Sequence, residues 1–419
     1  MKSRTAHRWG IDDLHAYCGI ACVDVQETAA ARQFDAVRAA RLEVLRKTVA
    51  LPCEDAVSYA VNAARPLLDR LGPDGTQDIE LLIVGTESGV DYSKSLASWV
   101  HALLGLSRRC RFIEVKQACY AGFAGIQFAT SQLPRSRRPG ARALVIGVDV
   151  PPPIRHTFEE LSTGAGAVAA LVGPEPRLLA LEPGTSGYHC FDVSDLRVPS
   201  PAEHLLDPDA SLLSYVECLK GAFRDYAERC GGADFMTAVD HLVFHTPFPG
   251  AVRGAHRALL RSFGHRSPQV VAQDFDARIE PSVRYPALSA NLYAGTTLLA
   301  LMSLLESGRA FPGQRVGIFS YGSGCAAEFC DAVLGPGTGE PAPEGGAHAV
   351  LEARTLLDQA RYDKVADAAQ TPRSGVRDYT PDLTALRELA LAGTRRGELL
   401  MLSGIHAHRR DYAMVKELV

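Results

Sequence analysis

The chain has no Cys-x-x-Cys pair, no apolar stretch approaching the eighteen or so residues a membrane helix needs, and no large excess of either charge. Its ten cysteines, at positions 18, 22, 53, 110, 119, 190, 218, 230, 325 and 330, follow no regular framework. That scatter suits a reducing compartment and argues against a disulfide scaffold or a structural zinc site. A formal charge of -4 gives no electrostatic reason for nucleic acid or an anionic membrane to be the main partner. The basic start, Met1 to Gly10, leads into no apolar signal core, so the expected location is cytoplasmic. Neither G-x-x-x-x-G-K-[ST] nor a strand-linked G-x-G-x-x-G is present, which makes phosphate binding at the small-residue turn 317–328 the weaker option. No metal site is expected. His241 and His245 are four apart, but Asp240 to His245 reads as a strand, where that spacing separates them by about 13 Å.

What is present is ordinary for a globular protein: 419 residues, 47% hydrophobic and 22% charged, enough for one large domain or two fused halves. Short apolar runs at 79–85, 143–149, 165–172, 241–245 and 315–320 read as strands too apolar to be half exposed. Helical patterns fall at 56–71, with a kink expected at Pro66, and at 93–106, 118–133, 212–230 and 292–305. The class is α/β. A strand, a nucleophile turn and a buried helix in the first half recur faintly as strand, histidine turn and helix in the second. The run Gly335 to Gly346 reads as an exposed turn region, followed by a charged helical tail and a last strand over 398–404.

Five segments carry reactive residues. Cys119, in Gln117-Ala118-Cys119-Tyr120-Ala121-Gly122, ends an apolar approach and precedes small residues that can open a helix. Amides and the positive end of a helix dipole at such a turn favour a thiolate, though a buried structural cysteine fits the segment as well. Glu87 follows an apolar strand, where burial raises a carboxyl towards the range of a general base; a turn or cap residue is the alternative. His245, before Thr246-Pro247-Phe248, can hydrogen-bond a thioester carbonyl or sit in the core. Asn291 opens a helix with an amide that can serve an oxyanion or act as a cap. The turn Ser320-Tyr321-Gly322-Ser323-Gly324 offers backbone amides for an oxyanion hole, or simply links two strands.

Glu87 in GTESGVDYSKS, Cys119 in QACYAG, His245 in FHTPF, Asn291 in ANLYAG and the FSYGSG turn occur in the order and spacing of 3-hydroxy-3-methylglutaryl-CoA synthases, and the chain resembles that family over almost its whole length. It is most similar to the branch that installs β-branches on polyketide chains held by acyl carrier proteins. Residues 54–66 and 211–219 carry that finer likeness. The enzymes of primary metabolism usually have a lysine shortly after His-x-Pro-Phe to meet the CoA phosphates, whereas this chain reads Pro249-Gly250-Ala251-Val252-Arg253. Phe191 to Pro199 also departs from the family's aromatic-rich pattern.

The resemblance implies a thiolase-like fold in two pseudo-duplicated halves, 1–175 with the nucleophilic cysteine and 176–419 with histidine, asparagine and a C-terminal extension, forming a layered α/β/α/β/α core. It implies catalytic Glu87, Cys119 and His245. Substrate-binding roles follow for Asn291, Tyr120, Ser320, Gly322, Ser323, Asp149 and Asp192, with Asp149 and Asp192 orienting catalytic groups. The implied partners are donor and acceptor acyl carrier proteins, which bring their own phosphopantetheine so that no other cofactor is needed, and the implied assembly is a homodimer. Carrier proteins are acidic, so Arg137, Arg138, Arg253 and Arg257 are docking candidates, as are Arg108, Arg109 and Arg111. Rival readings are a decarboxylating ketoacyl synthase, a non-catalytic carrier-binding scaffold and a thioesterase; Glu87 separates the first, because decarboxylation makes a carbanion without a base.

Overall fold

The computed structural model describes residues 8–152, 154–200, 203–369, 375–390 and 398–418. The strands that position the site are β1 (Trp9–Tyr17), β2 (Ile79–Gly85), β3 (Arg111–Val115), β4 (Arg142–Asp149), β5 (Gly166–Pro174), β6 (Leu179–Cys190), β7 (His241–Phe244), β8 (Arg315–Gly322) and β9 (Ala326–Leu334). They form one hydrogen-bonded array in the order β7-β8-β9-β6-β1-β5-β4-β2-β3. In the first part β1 is antiparallel to β5, β5 antiparallel to β4, and β4, β2 and β3 run parallel. The second part repeats the scheme: β6 is antiparallel to β9, β9 antiparallel to β8, and β8 parallel to β7. The two arrays meet where Trp9, Gly10 and Ile11 pair with Leu181, Ala180 and Leu179.

The helices sort into layers by the alternation of strand side chains. They are α1 (Ala56–Thr76), α2 (Leu96–Leu103), α3 (Ala121–Gln132), α4 (Pro208–Arg229), α5 (Pro249–Ser262) and α6 (Thr296–Leu305). Leu81 and Ile83 of β2, Val145 of β4, and Val316 and Ile318 of β8 share one core with Phe123 and Ile126 of α3 and Leu298 and Leu299 of α6. The alternate residues Leu82, Val84, Leu144 and Ile146 pack outward against α1. Phe319 and Tyr321 pack outward with α4 and α5. The result is helix, sheet, helix, sheet, helix, with α3 and α6 in the middle. Every residue of α6 is buried, as expected of a helix that is apolar all round.

Close packing of the central layer fixes the small residues after Cys119. A Cβ on Gly122 would lie 2.1 Å from the Ala294 carbonyl oxygen and 3.2 Å from the Gly147 Cα. Gly122→Ala is therefore expected to cost about 3 kcal/mol, because both obstacles are backbone and neither has a rotamer to give. A lower midpoint in urea unfolding would show it.

Several element boundaries differ from the sequence expectation. Helix α1 breaks at Gly72 (φ 73°), while Pro66 is accommodated inside it. The helix after the nucleophile begins at Ala121 rather than Ala118, because Ala118 sits at φ 44°, outside helical space. The run 335–346 is not all exposed: Gly335 and Gly337 donate to Leu178 and Arg177 carbonyls, and both glycines are buried. The closing strand, Leu400–His406, has a partner, Arg409–Met414, that the sequence reading missed.

Candidate active site

Both parallel strands that precede reactive residues end on the same side of the central layer. Strand β2 delivers Glu87, and β4, its parallel neighbour, ends in Asp149. Asp149 is fully buried and accepts from the Thr86 hydroxyl (3.0 Å), the Glu87 amide (2.8 Å) and the Ala294 amide (2.9 Å). It ties the Glu87 loop of one half to the Asn291 loop of the other.

Cys119 is 5% exposed and lies between the strained Ala118 and the first turn of α3. The sequence reading expected helix-end amides to favour a thiolate. Asn291 and the cysteine's own amide do favour it by hydrogen bonding, but burial, the Glu87 carboxylate and Asp149 together push the thiol well above its ordinary value. That direction favours the thiol over the thiolate at Cys119. Glu87 is itself pushed well above the usual carboxylate range by burial, then by Asp149 and Glu159, while Lys116 pulls it back. Its Oε2 is buried with no hydrogen-bond partner among the described residues. An unsatisfied buried oxygen costs about 1–3 kcal/mol, and a substrate atom is the partner that would relieve it.

Asn291 is oriented by what holds its oxygen. Its Oδ1 accepts from the Tyr293 amide (2.8 Å) and the Thr296 hydroxyl (2.8 Å), which leaves the NH2 group to face the sulfur. The backbone around it is fixed by a pair of bonds with the Ser162 carbonyl (3.0 Å) and the Gly164 amide (3.1 Å).

His245 follows β7 and is 1% exposed; its amide donates to Phe319 (2.7 Å) and its carbonyl accepts from the Tyr215 hydroxyl (2.6 Å). Burial drives the imidazole down to about 3, so it is neutral, and its Nδ1 has no partner among the described residues. The end of β8, the next strand over, touches the nucleophile turn: a Cβ on Gly322 would lie 2.3 Å from the Gln117 carbonyl oxygen and 3.0 Å from the Tyr120 amide nitrogen. Only glycine fits there.

A cavity of about 640 Å³ is lined by Glu87, by Gln117 and Ala118 just ahead of the cysteine, and by Thr163 and Ser323, a volume suited to a small-molecule substrate; Cys119, Asn291 and His245 lie behind this lining. Other residues singled out in the sequence are placed elsewhere. The Tyr120 hydroxyl donates to Glu328 (2.6 Å), which Gln127 also bonds (2.6 Å), so Tyr120 braces the turn from behind. Ser320 is buried, its hydroxyl 3.2 Å from that of Thr297. Asp192 is exposed, whereas Asp195 of the same segment is buried and accepts from the Gly324 amide (3.0 Å) and the Tyr321 hydroxyl (3.3 Å). A surface loop with two aspartates three apart gave no sequence signal as to which turns inward. Arg137 and Arg257 are exposed, Arg138 pairs with Asp78 (3.2 Å), and Arg253 makes a two-pronged pair with Glu43 (2.7 and 2.9 Å) over the Phe275 ring.

The sequence reading missed Tyr293. It is buried at φ 51°, its hydroxyl is bonded to Thr163, and it lies within the field of Glu87, Glu159 and Cys119. The signal was its position two residues after Asn291. Among the described residues no helix is long and apolar enough to cross a membrane, and no three His, Cys, Asp or Glu side chains are grouped to hold a metal.

Comparison with known proteins gives a consistent result. The family described as Hydroxymethylglutaryl-coenzyme A synthase N terminal matches residues 6–177, and Hydroxymethylglutaryl-coenzyme A synthase C terminal matches 261–340. The chain is 36% identical over 416 residues to the polyketide biosynthesis 3-hydroxy-3-methylglutaryl-ACP synthase PksG of Bacillus subtilis (strain 168), covering 97% of this chain and 99% of that one. Among solved structures, the HMG synthase of the curacin biosynthetic pathway superposes with a TM-score of 0.92 at 38% identity, over 97% of this chain and 100% of that one. That synthase has also been solved in complex with a holo donor-ACP, with the same similarity to this chain.

Proposed function

The chain belongs to the hydroxymethylglutaryl-coenzyme A synthase family, and from that premise we propose that it builds β-branches on polyketide chains held by acyl carrier proteins. An acetyl group from a donor carrier protein passes to Cys119, then adds as its enolate to the β-ketone of an acyl chain on an acceptor carrier protein, and water releases a 3-hydroxy-3-carboxymethyl thioester. The observation that carries this reading is a buried thiol in the field of a buried, unpartnered carboxyl that lines the cavity.

Each step draws on a placed group. The neutral Cys119 must lose its proton to attack the acetyl thioester, and the pantetheine thiolate that leaves must gain one; Glu87, in the field of the sulfur, relays it. The Cys119 amide and the Gly322–Ser323 turn supply the oxyanion contacts. Glu87 as carboxylate then removes a methyl proton from acetyl-Cys119, since an enolate at a thioester needs a base and no decarboxylation provides one. His245, neutral and with a free ring nitrogen, and the Asn291 amide hold the acyl thioester. The phosphopantetheine arm arrives on the carrier, so the enzyme itself needs no cofactor. Docking through Arg137, Arg138, Arg253 and Arg257, a homodimeric assembly and a cytoplasmic setting complete the proposal, with the two halves 1–175 and 176–419 as its structural units.

Intact mass spectrometry tests it. Wild-type protein incubated with an acetylated carrier protein is expected to gain one acetyl group on Cys119, and a β-ketoacyl carrier protein added next is expected to gain the mass of a carboxymethyl addition. Acetate release with no change in the acceptor would instead make this a thioesterase, CO2 release from a malonyl donor a ketoacyl synthase, and absence of any adduct a scaffold.

A further inference from the structure

All ten cysteines are free, and two of them meet where the turn after β8 ends. Cys325 follows Gly324 directly, and its sulfur lies 3.4 Å from that of Cys218 on α4. Cys218 is fully buried and Cys325 is 5% exposed. A third thiol, Cys190, is exposed at the end of β6, and its charge bears on both. The two buried sulfurs are not equivalent. Burial pushes both up, but the Cys218 thiol and the Phe191 amide donate to Cys325 and oppose that rise, whereas Cys218, as the donor, is pushed further. Cys325 is therefore the better nucleophile of the two, with Cys218 placed to resolve its oxidised form.

Both thiols are tied to the active site by the elements that carry them. Ser323, two residues before Cys325, lines the cavity, and Gly322 packs on the nucleophile turn. Gly324 straps this segment down: its amide donates to Asp195 (3.0 Å) and its carbonyl accepts from the Val193 amide (3.0 Å). On the other side, Tyr215 lies one helical turn before Cys218 and bonds the His245 carbonyl (2.6 Å). A disulfide holds its sulfurs about 2.0 Å apart, so joining this pair closes the gap by about 1.4 Å. Helix α4 is anchored by its packed core, with Cys218, Leu219, Ala222 and Phe223 all buried, so the turn does the moving. It has room, since a Cβ on Gly324 would meet nothing within 4 Å.

We propose that Cys218 and Cys325 are a redox modification site: a hydroperoxide converts the dithiol to a disulfide, which draws the Gly322–Ser323 turn out of place until a thiol reductant restores it. The Cys325 sulfur attacks one peroxide oxygen, the O–O bond breaks, and the departing oxygen takes up the thiol's proton and leaves as water or alcohol. Cys325 is then a sulfenic acid. The Cys218 sulfur displaces its hydroxyl group, forming the S–S bond, and that hydroxyl leaves as water with the Cys218 proton. Two thiols have given two electrons to one peroxide. The bond stands apart from the reaction proposed above, which enters only through the activity that is lost. A reducing compartment keeps the pair open in ordinary conditions.

The test treats reduced, full-length protein with hydrogen peroxide, alkylates it unfolded with iodoacetamide and maps the peptides by mass. A disulfide joining the Cys218 and Cys325 peptides is expected, with Cys119 still alkylated. In the same sample, conversion of the acceptor carrier is expected to fall about 10²-fold, the scale of a roughly 1 Å displacement in a catalytic site, and to return with dithiothreitol. Cys218→Ala and, separately, Cys325→Ala are expected to match reduced wild type and to keep that activity through peroxide. Both cysteines alkylated after the treatment would overturn the inference. So would a disulfide that leaves conversion within about threefold of the reduced enzyme, or a loss in the alanine variants as steep as in wild type, which would place the damage at Cys119. Should either variant fail to fold, the peptide map and the dithiothreitol reversal on wild type decide. If reduced wild type neither loads acetyl nor converts the acceptor, the reaction reading fails instead, and the peptide map still decides whether the bond forms.

Discussion

Glu87→Gln is expected to accumulate acetyl-Cys119 while carbon–carbon bond formation falls about 10³-fold. The amide keeps the shape of the side chain, and the Glu87 backbone amide still donates to Asp149, so the loop stays in place. What disappears is, among the described residues, the one carboxylate in the field of the sulfur that has an unpartnered oxygen. Acetyl transfer between two thiols is near balance and tolerates a poorer proton relay, whereas a thioester methyl gives up a proton only to a placed base. The two steps therefore separate in this variant. Exchange of the acetyl methyl protons with D2O, read on the loaded enzyme, is expected to vanish along with condensation. The pH dependence has a definite sign. Glu87 must be ionised to act, and burial with two neighbouring carboxyls raises its titration, so wild-type condensation is expected to climb with pH through that raised value. The residual rate of Glu87→Gln is expected to lack that limb. Full condensation in the variant would point to decarboxylative chemistry.

Much of this was legible in the sequence because it depends on local pattern. Strand β2 was bounded correctly from its apolar run, β4 and β7 to within a residue, since strands buried on both faces leave continuous hydrophobic stretches. The reactive residues Glu87, Cys119 and Asn291 sit at the turns that follow such stretches or precede a helix, where small residues mark a site. What was not legible depends on which way a side chain faces after folding. Thiolate or thiol at Cys119 was misjudged because the helix end is local, while the carboxylates that oppose it arrive from residues 32 and 30 positions away in sequence. Asp192 and Asp195 look alike until the chain turns one of them towards Gly324. Glu159 and Glu160 are the sharpest case. Nothing in their order says that Arg32 will capture the second and leave the first beside His204.

Asp149 is where both halves of the site are joined, and its substitution is expected to have the second-largest effect. In Asp149→Ala the Thr86 hydroxyl, the Glu87 amide and the Ala294 amide lose their buried acceptor together. At about 1–3 kcal/mol for each unsatisfied group, and allowing for partial relaxation, stability is expected to drop by about 4 kcal/mol, read from urea unfolding. Activity is expected to fall with it, because the loops holding Glu87 and Asn291 are no longer held to a common point. Asp149→Asn separates charge from shape. Its oxygen can still accept from Glu87 and Thr86, but its NH2 group meets the Ala294 amide, donor against donor, so it is expected to lose about 2 kcal/mol rather than 4. Its electrostatic effect is the sharper test. Ionised Asp149 is one of the charges that raise both Glu87 and Cys119, so neutralising it lets both titrate lower. The rising limb of condensation against pH is therefore expected to move to lower pH in Asp149→Asn, even though the maximal rate is reduced. A limb that stays where the wild type has it would mean that Asp149 serves the site through hydrogen bonds alone, and that burial by itself sets the basicity of Glu87.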